Sequence, residues 1–240
     1  MQTVTAVAHR GDPYRFRENT TDSLRSALQR GADAVEFDVR LTRDDVPVLL
    51  HDETLKRLWG HDRPLKSLSA DEVRGLTAGG VPTLADALAA TDGERVMVDL
   101  PGRVDRRAAA RIVDVIRQCD ARDRVYYCAA APAMLSLRAA DPSAEIALTW
   151  TTLAPPRPAL LNAVRPRWLN YRFSLVDHDL AARVHRDGCL LSVWTPDTRR
   201  SMRRLIDLGV DSITTNRVDV LCATRVSAEP PSPGRPGSRA

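Results

Sequence analysis

Nine short apolar runs separated by stretches of helical character constrain this 240-residue chain more than any other feature. The runs fall at 4–8, 34–39, 47–50, 95–100, 124–129, 145–150, 168–172, 190–194 and 212–215. Helical stretches are expected near 21–30, 83–91, 105–118, 133–140, 158–164, 178–187, 199–208 and 217–224. Such alternation is the pattern of a parallel sheet with crossover helices. Several runs lack a polar face, as strands covered on both sides do. With 47–50 taken as part of an excursion after the second strand, eight strands remain. The fold class is therefore α/β, and a closed (β/α)8 TIM barrel is the economical architecture at a length near the usual ~250 residues. An open doubly wound sheet is the alternative, although no G-x-G-x-x-G follows the first strand.

Residues 53–80 interrupt the alternation and read as a small insertion, with Ser69 and Glu72 spaced for a capping box. The barrel is expected over 1–226 as a single domain. The Pro-, Gly-, Ser- and Arg-rich end, 227–240, is expected to be a disordered tail. No run approaches the ~18 apolar residues of a membrane helix, so stable membrane insertion is not expected. Residues 3–8 already read as a strand rather than a signal peptide, and a cytoplasmic protein follows. Cys119, Cys128, Cys189 and Cys222 are widely spaced and form no C-x-x-C pair, which favours unpaired thiols in a reducing compartment. The net charge of +4 is carried almost entirely by arginine, Lys56 and Lys66 being the only lysines. These charges are scattered and not interleaved with aromatics, so nucleic-acid binding is not indicated. The oligomeric state is not legible.

The chemistry-bearing residues cluster early. Ala6-Val7-Ala8 leads into His9, Ala34–Val39 carries Glu36 and Asp38, and Val46–Leu50 delivers His51. Side chains two apart on a strand share a face, so Glu36 and Asp38 can converge on one cation. Asp99 closes the apolar run 96–98. Apolar strand cores exclude unpaired carboxylates, whose burial costs several kcal/mol. Three acids on two strands form an all-oxygen donor set suited to Mg²⁺ or Ca²⁺. Two histidines beside them can exchange protons near neutrality. These are the parts needed for metal-assisted phosphodiester cleavage.

At this point the chain resembles the glycerophosphodiester phosphodiesterase family. The resemblance rests on His9-Arg10-Gly11, Glu18-Asn19-Thr20, Glu36-Phe37-Asp38, Thr42-Arg43-Asp44 and His51-Asp52, in that order. It continues through Thr54–Arg57, Val81–Leu84, Val193-Trp194-Thr195 and Gly209–Arg217. It implies a barrel with its insertion over the mouth, His9 and His51 as acid–base pair, and Glu36, Asp38 and Asp99 as ligands of a divalent metal. It further implies Arg10 and Trp194 as substrate contacts, against phosphate and glycerol, with Glu18 and Asn19 in support. A core role for Trp194 remains open, and Asn216 is read as fixing the last loop without a catalytic part. The implied substrate is a small-molecule glycerophosphodiester, split to sn-glycerol 3-phosphate and an alcohol.

Two departures stand out. Where the family commonly has Lys, two residues past the third acid, this chain has Pro101, which donates no hydrogen bond. Arg103 and Arg172 are candidate replacements. The third acid is Asp99 where Glu is usual, one methylene shorter. Alternatives are therefore a lysophospholipase D-like enzyme, with an apolar groove from Leu55, Leu58, Trp59, Leu65 and Leu68, or a cyclising phosphodiesterase that stops at the cyclic phosphate. A non-catalytic barrel binding a phosphorylated ligand is a third.

Overall fold

The computed structural model describes residues 4–226. The expected tail, 227–240, lies outside the described residues. Nine strands form, within two residues of every expected boundary: β1 Thr5–Ala8, β2 Ala34–Leu41, β3 Pro47–Leu49, β4 Arg95–Asp99, β5 Val125–Ala129, β6 Ile146–Trp150, β7 Trp168–Arg172, β8 Leu190–Trp194 and β9 Ser212–Thr215. Eight of them run parallel in the order β1-β9-β8-β7-β6-β5-β4-β2, and pairing of β1 with β2 closes the ring. The open sheet is thereby excluded. β3 lies outside the ring, antiparallel to β2.

Helices cover the barrel in chain order: α1 Thr21–Gln29, α2 Lys56–Trp59, α3 Ala70–Leu76, α4 Leu84–Ala90, α5 Arg106–Gln118, α6 Ala131–Ala140, α7 Pro158–Val164, α8 His178–Arg186, α9 Arg199–Asp207 and α10 Val218–Val226. Local signals set their starts. Thr20, Ser69, Thr83, Asp105, Asp177 and Thr198 each accept a backbone N–H of the first turn.

The two faces of each strand enter different cores. On β2, Val35, Phe37 and Val39 point outward into the large cluster between strands and helices. Inside the ring, Val7, Ala34, Met97, Tyr126, Cys128, Ala147 and Trp168 pack on one another. Tyr126 stacks on Trp168 with ring centroids 6.2 Å apart, and the Trp168 indole donates to Glu145, which also holds Arg95. Glu145 immediately precedes β6, and Arg95 and Trp168 open β4 and β7, so this plug closes the N-terminal end. Polar side chains accumulate at the other end.

The insertion builds a core of its own from Leu55, Leu65, Leu68 and Val73 with Val48, Leu50 and Val81. Leu58 and Trp59 pack against it, and the Arg17 guanidinium lies 4.2 Å from the Trp59 ring centre. Leu55, Leu65 and Leu68, three of the residues that could have lined a lipid groove, are therefore buried in this core, while Leu58 and Trp59 stay partly exposed.

Candidate active site

The C-terminal rim of a β/α barrel is where strand ends converge, and strand register decides which residues meet there. On β2 and β4, Asp38 stands opposite Asp99, and Asp99 in turn faces Cys128 on β5. Glu36 and Asp38 are 3% and 1% exposed. Ligand oxygens of Glu36, Asp38 and Asp99 all lie within 4.8 Å of one another. The shorter Asp99 side chain is thus no obstacle, because its Cα is already abreast of Asp38. Crowding has an electrostatic cost. Burial, then the Asp38 charge, raises the Asp99 carboxyl to about 7. Burial, Asp38 and Asp99 push Glu36 well above the usual carboxylate range. Hard oxygens held together against their own repulsion fit a divalent cation.

The loop after β1 is tied to these acids. The Arg10 backbone N–H donates to Glu36 Oε2 at 2.8 Å, with Arg10 itself at φ 55°. Gly11 follows at φ 87°, where a Cβ would sit 2.4 Å from Ser23 Oγ, so only glycine lets the loop lie on α1. Asn19, at φ 57°, grips Asp38 twice: Nδ2 donates to Oδ2 at 2.8 Å, and Oδ1 accepts the Asp38 N–H at 3.1 Å. The Arg10 guanidinium donates to Glu18 at 2.9 Å and lies 2.9 Å from Asp38 through Nε, an ion pair without hydrogen-bond alignment.

The histidines have unlike seats. His9 Nδ1 is 2.7 Å from Asn216 Oδ1. Asn216 Nδ2 is committed to Asp197 Oδ2 at 2.8 Å, so its carbonyl faces the ring and His9 must carry its proton on Nδ1. Asp197 Oδ1 accepts from Thr215 Oγ1 and the Asn216 N–H, both at 2.9 Å. Burial, then the Arg10 charge, lowers the His9 pKa. Its Nε2 is 4.0 Å from Glu36. Asn216 is tied into the last loop through Asp197, and its side chain also holds His9.

His51, half-buried, places Nδ1 2.8 Å from Asp52 Oδ1. Arg57 of α2 donates to Asp52 at 2.6 Å and to Glu18 at 2.7 Å, which returns the chain of ion pairs to Arg10. Hydrogen bonding from Arg57 holds the Asp52 carboxyl down at about 2. Asp52, Arg57 and Asp197 had no assigned role at the sequence level. Adjacency to His51 was the available signal for Asp52.

A pocket of about 220 Å³ lies over the acids and histidines, backed by Met97, Cys128, Thr149, Asn170, Trp194 and Thr214. Trp194 is half-buried on this wall, and its peptide bond to Thr195 is cis. Its indole Nε1, Asn170 Oδ1 and Thr214 Oγ1 are buried without a protein partner. Asn170 Nδ2 donates to the Cys128 sulfur at 3.1 Å, and burial raises that thiol's pKa well above normal. Cys128 thus belongs to the site wall and is no incidental thiol. Polar residues inside apolar strands were the overlooked signal for Thr149 and Asn170. Neither Arg103 nor Arg172 lines this pocket. His61 bonds the Leu76 carbonyl, and His185 bonds Asp211.

The sequence profile of the glycerophosphoryl diester phosphodiesterase family matches residues 9–220. The chain belongs to this family. A glycerophosphodiester phosphodiesterase from Caldanaerobacter subterraneus is 26% identical over 236 residues, covering 90% of this chain and 95% of its own length. A Mycobacterium tuberculosis protein named "Probable glycerophosphodiester phosphodiesterase 2" is 32% identical, with 90% and 88% covered. Among solved structures, a glycerophosphodiester phosphodiesterase from Parabacteroides distasonis superposes with a TM-score of 0.81 at 25% identity, covering 95% of this chain and 99% of that one. An Oleispira antarctica phosphodiesterase, solved with the product sn-glycerol-3-phosphate, superposes at 0.82 and 23% identity, with 92% and 96% covered. The family's barrel is thus shared along nearly the whole chain.

Proposed function

We propose that this family member is a phosphodiester hydrolase that cleaves a small-molecule glycerophosphodiester to sn-glycerol 3-phosphate and an alcohol. One observation carries the reading: three crowded carboxylates share a pocket with two histidines whose Nδ1 atoms are both occupied, so both can present Nε2. Glu36, Asp38 and Asp99 would hold Mg²⁺ or Ca²⁺. When bound, such an ion neutralises charge on a phosphoryl oxygen and acidifies a nearby hydroxyl.

The seats divide the proton work. His9, with a neutral amide partner and a lowered pKa, begins with a free Nε2 lone pair and takes the proton of the glycerol 2-hydroxyl as it attacks phosphorus. His51, backed by the ionised Asp52, is suited to carry a second proton and gives it to the departing alcohol oxygen. Water then opens the cyclic phosphate with the roles reversed. Arg10 holds Glu18 and Asp38 with two of its nitrogens. Its Nη2, unpartnered among the described residues, is available to a phosphoryl oxygen. The unpartnered Trp194, Asn170 and Thr214 atoms suit the hydroxyls of glycerol, with Trp194 packing on its carbon face. Glu18 and Asn19 act as positioning residues, for Arg10 and Asp38 respectively. The barrel and its insertion act as one catalytic unit. The four unpaired cysteines are in keeping with a cytoplasmic setting, and no described helix is long and apolar enough to cross a membrane.

The test is release of glycerol 3-phosphate from a mixture of glycerophosphocholine and glycerophosphoethanolamine with Mg²⁺ or Ca²⁺, against EDTA and Asp99→Ala. Metal-dependent release lost in the variant is the expected result. Accumulation of cyclic glycerol phosphate alone would identify a cyclising enzyme. Metal binding without any turnover would point to a phospholigand-binding barrel.

A further inference from the structure

A second cavity, which shares no lining residue with the pocket over the acids, is linked to His51 through Arg40. It is a groove of about 480 Å³ between the β2–β3 excursion and the start of α5, beginning at Pro101, two residues past Asp99. Arg40 lines the groove and is the residue that ties it to His51. It sits on β2 two residues beyond Asp38, on the face that carries Glu36 and Asp38. Its Nε donates to the His51 carbonyl at 2.7 Å, which fixes the guanidinium. Its two terminal nitrogens have no partner among the described residues. Gly102, at φ 87°, packs over them: a Cβ there would come 3.2 Å from Nη1.

The groove's charge is unbalanced. Arg43 is paired with Glu72, Arg107 with Asp45, and Asp105 caps α5. Arg40, Lys66 and Arg103 have no carboxylate partner among the described residues, and two lining acids, Glu53 and Asp105, have no cation partner there, so the lining keeps a positive excess. No aromatic side chain lines it, so nothing there suits a quaternary ammonium, which aromatic faces recognise.

We infer that this groove is the leaving-alcohol subsite and that it selects alcohols bearing an anionic group, a carboxylate or a phosphate. The inference rests on the proposed reaction, in which His51 protonates the departing oxygen, so that the alcohol leaves on the His51 side and extends toward Arg40. Arg40 offers its fork to the anion, and Lys66 and Arg103 add a field across the groove mouth. Arg40 thereby puts positive charge beside the 101 position, where the chain carries proline.

Glycerophosphoserine and glycerophosphoethanolamine differ by one carboxylate and make the test. With divalent metal at low salt, kcat/KM for the serine ester should exceed that for the ethanolamine ester about tenfold, the scale of one charge-assisted contact. Added KCl should shrink the ratio. Arg40→Met should bring it close to one, and the exposed pair Lys66→Glu with Arg103→Glu should invert it. Equal rates in the wild type, or a preference that survives both variants, would overturn the subsite and leave the reaction reading intact. If neither ester is cleaved, the reaction reading fails. Calorimetric binding of the two esters then decides the groove by itself, equal affinities overturning it.

Discussion

The two histidines occupy seats of opposite construction. His9 is set by the barrel: its partner Asn216 follows β9, and Asn216 is held by Asp197 from the loop after β8. His51 is set by the excursion: Asp52 is its chain neighbour, and Arg57 comes from the insertion. The first seat sets a neutral amide directly against a desolvated ring, with the Asp197 carboxylate one bond further back. The second ends in an ionised carboxylate held by an exposed arginine. The contrast teaches that tautomer and charge at a site are decided one residue behind the reacting group.

The largest expected effect comes from removing either ring. His9→Ala and His51→Ala should each lower kcat by ~10³-fold or more, since acid–base catalysis is worth ~10²–10⁴ per group. Unchanged thermal unfolding would tie that loss to chemistry. Retention of activity in His51→Ala would end its role and the division of labour with it.

Behind the rings, the seats should fail differently. Asn216→Ala frees the His9 tautomer and should cost ~10–10²-fold in kcat with little change in KM. Asp52→Asn replaces a carboxylate with an amide and makes the second seat resemble the first. Nitrogen-15 spectra of the His9 ring should show Nδ1 protonated in the wild type and mixed in Asn216→Ala. An unaltered spectrum would break the comparison.

The smallest effects belong to stability, and they run in opposite directions on the two sides. In chelator, Asp99 titrates at about 7 when folded, against ~3.9 unfolded. Its contribution is fully present below pH ~4 and is lost as pH rises through 7. Asp52, at about 2 when folded, contributes above pH ~4 and loses that as pH falls through 2. Tm of the metal-free protein should therefore fall between pH 5 and 8, and a divalent cation should restore most at pH 8. A Tm profile that is flat in chelator and unmoved by metal would mean that the three acids do not repel as their spacing implies.

Much of this was legible beforehand because local chemistry carries it. Every strand formed where an apolar run stood, since a strand buried on both faces must be apolar. Ser69 caps its helix through a bond that spans three residues. Glu36 and Asp38 share a face by the two-residue period of a strand. The contact of Asn216 with His9 is not legible locally because the partners are distant: His9 lies 207 positions away and Asp197 lies on another loop. Arg40 went unremarked because nothing in its neighbours says that it reaches back to the carbonyl of His51.

By itself, then, the sequence determined the α/β class, the strand and helix positions, the three acids and the two histidines. These are consequences of periodicity and of what an apolar strand excludes. Tertiary structure alone decided that Asp38 stands abreast of Asp99, that Leu55, Leu65 and Leu68 of the insertion join a core, and that Arg40 keeps an open fork bonded to the His51 carbonyl. Those outcomes depend on strand register, ring closure and packing between segments remote in the chain, which no local pattern encodes.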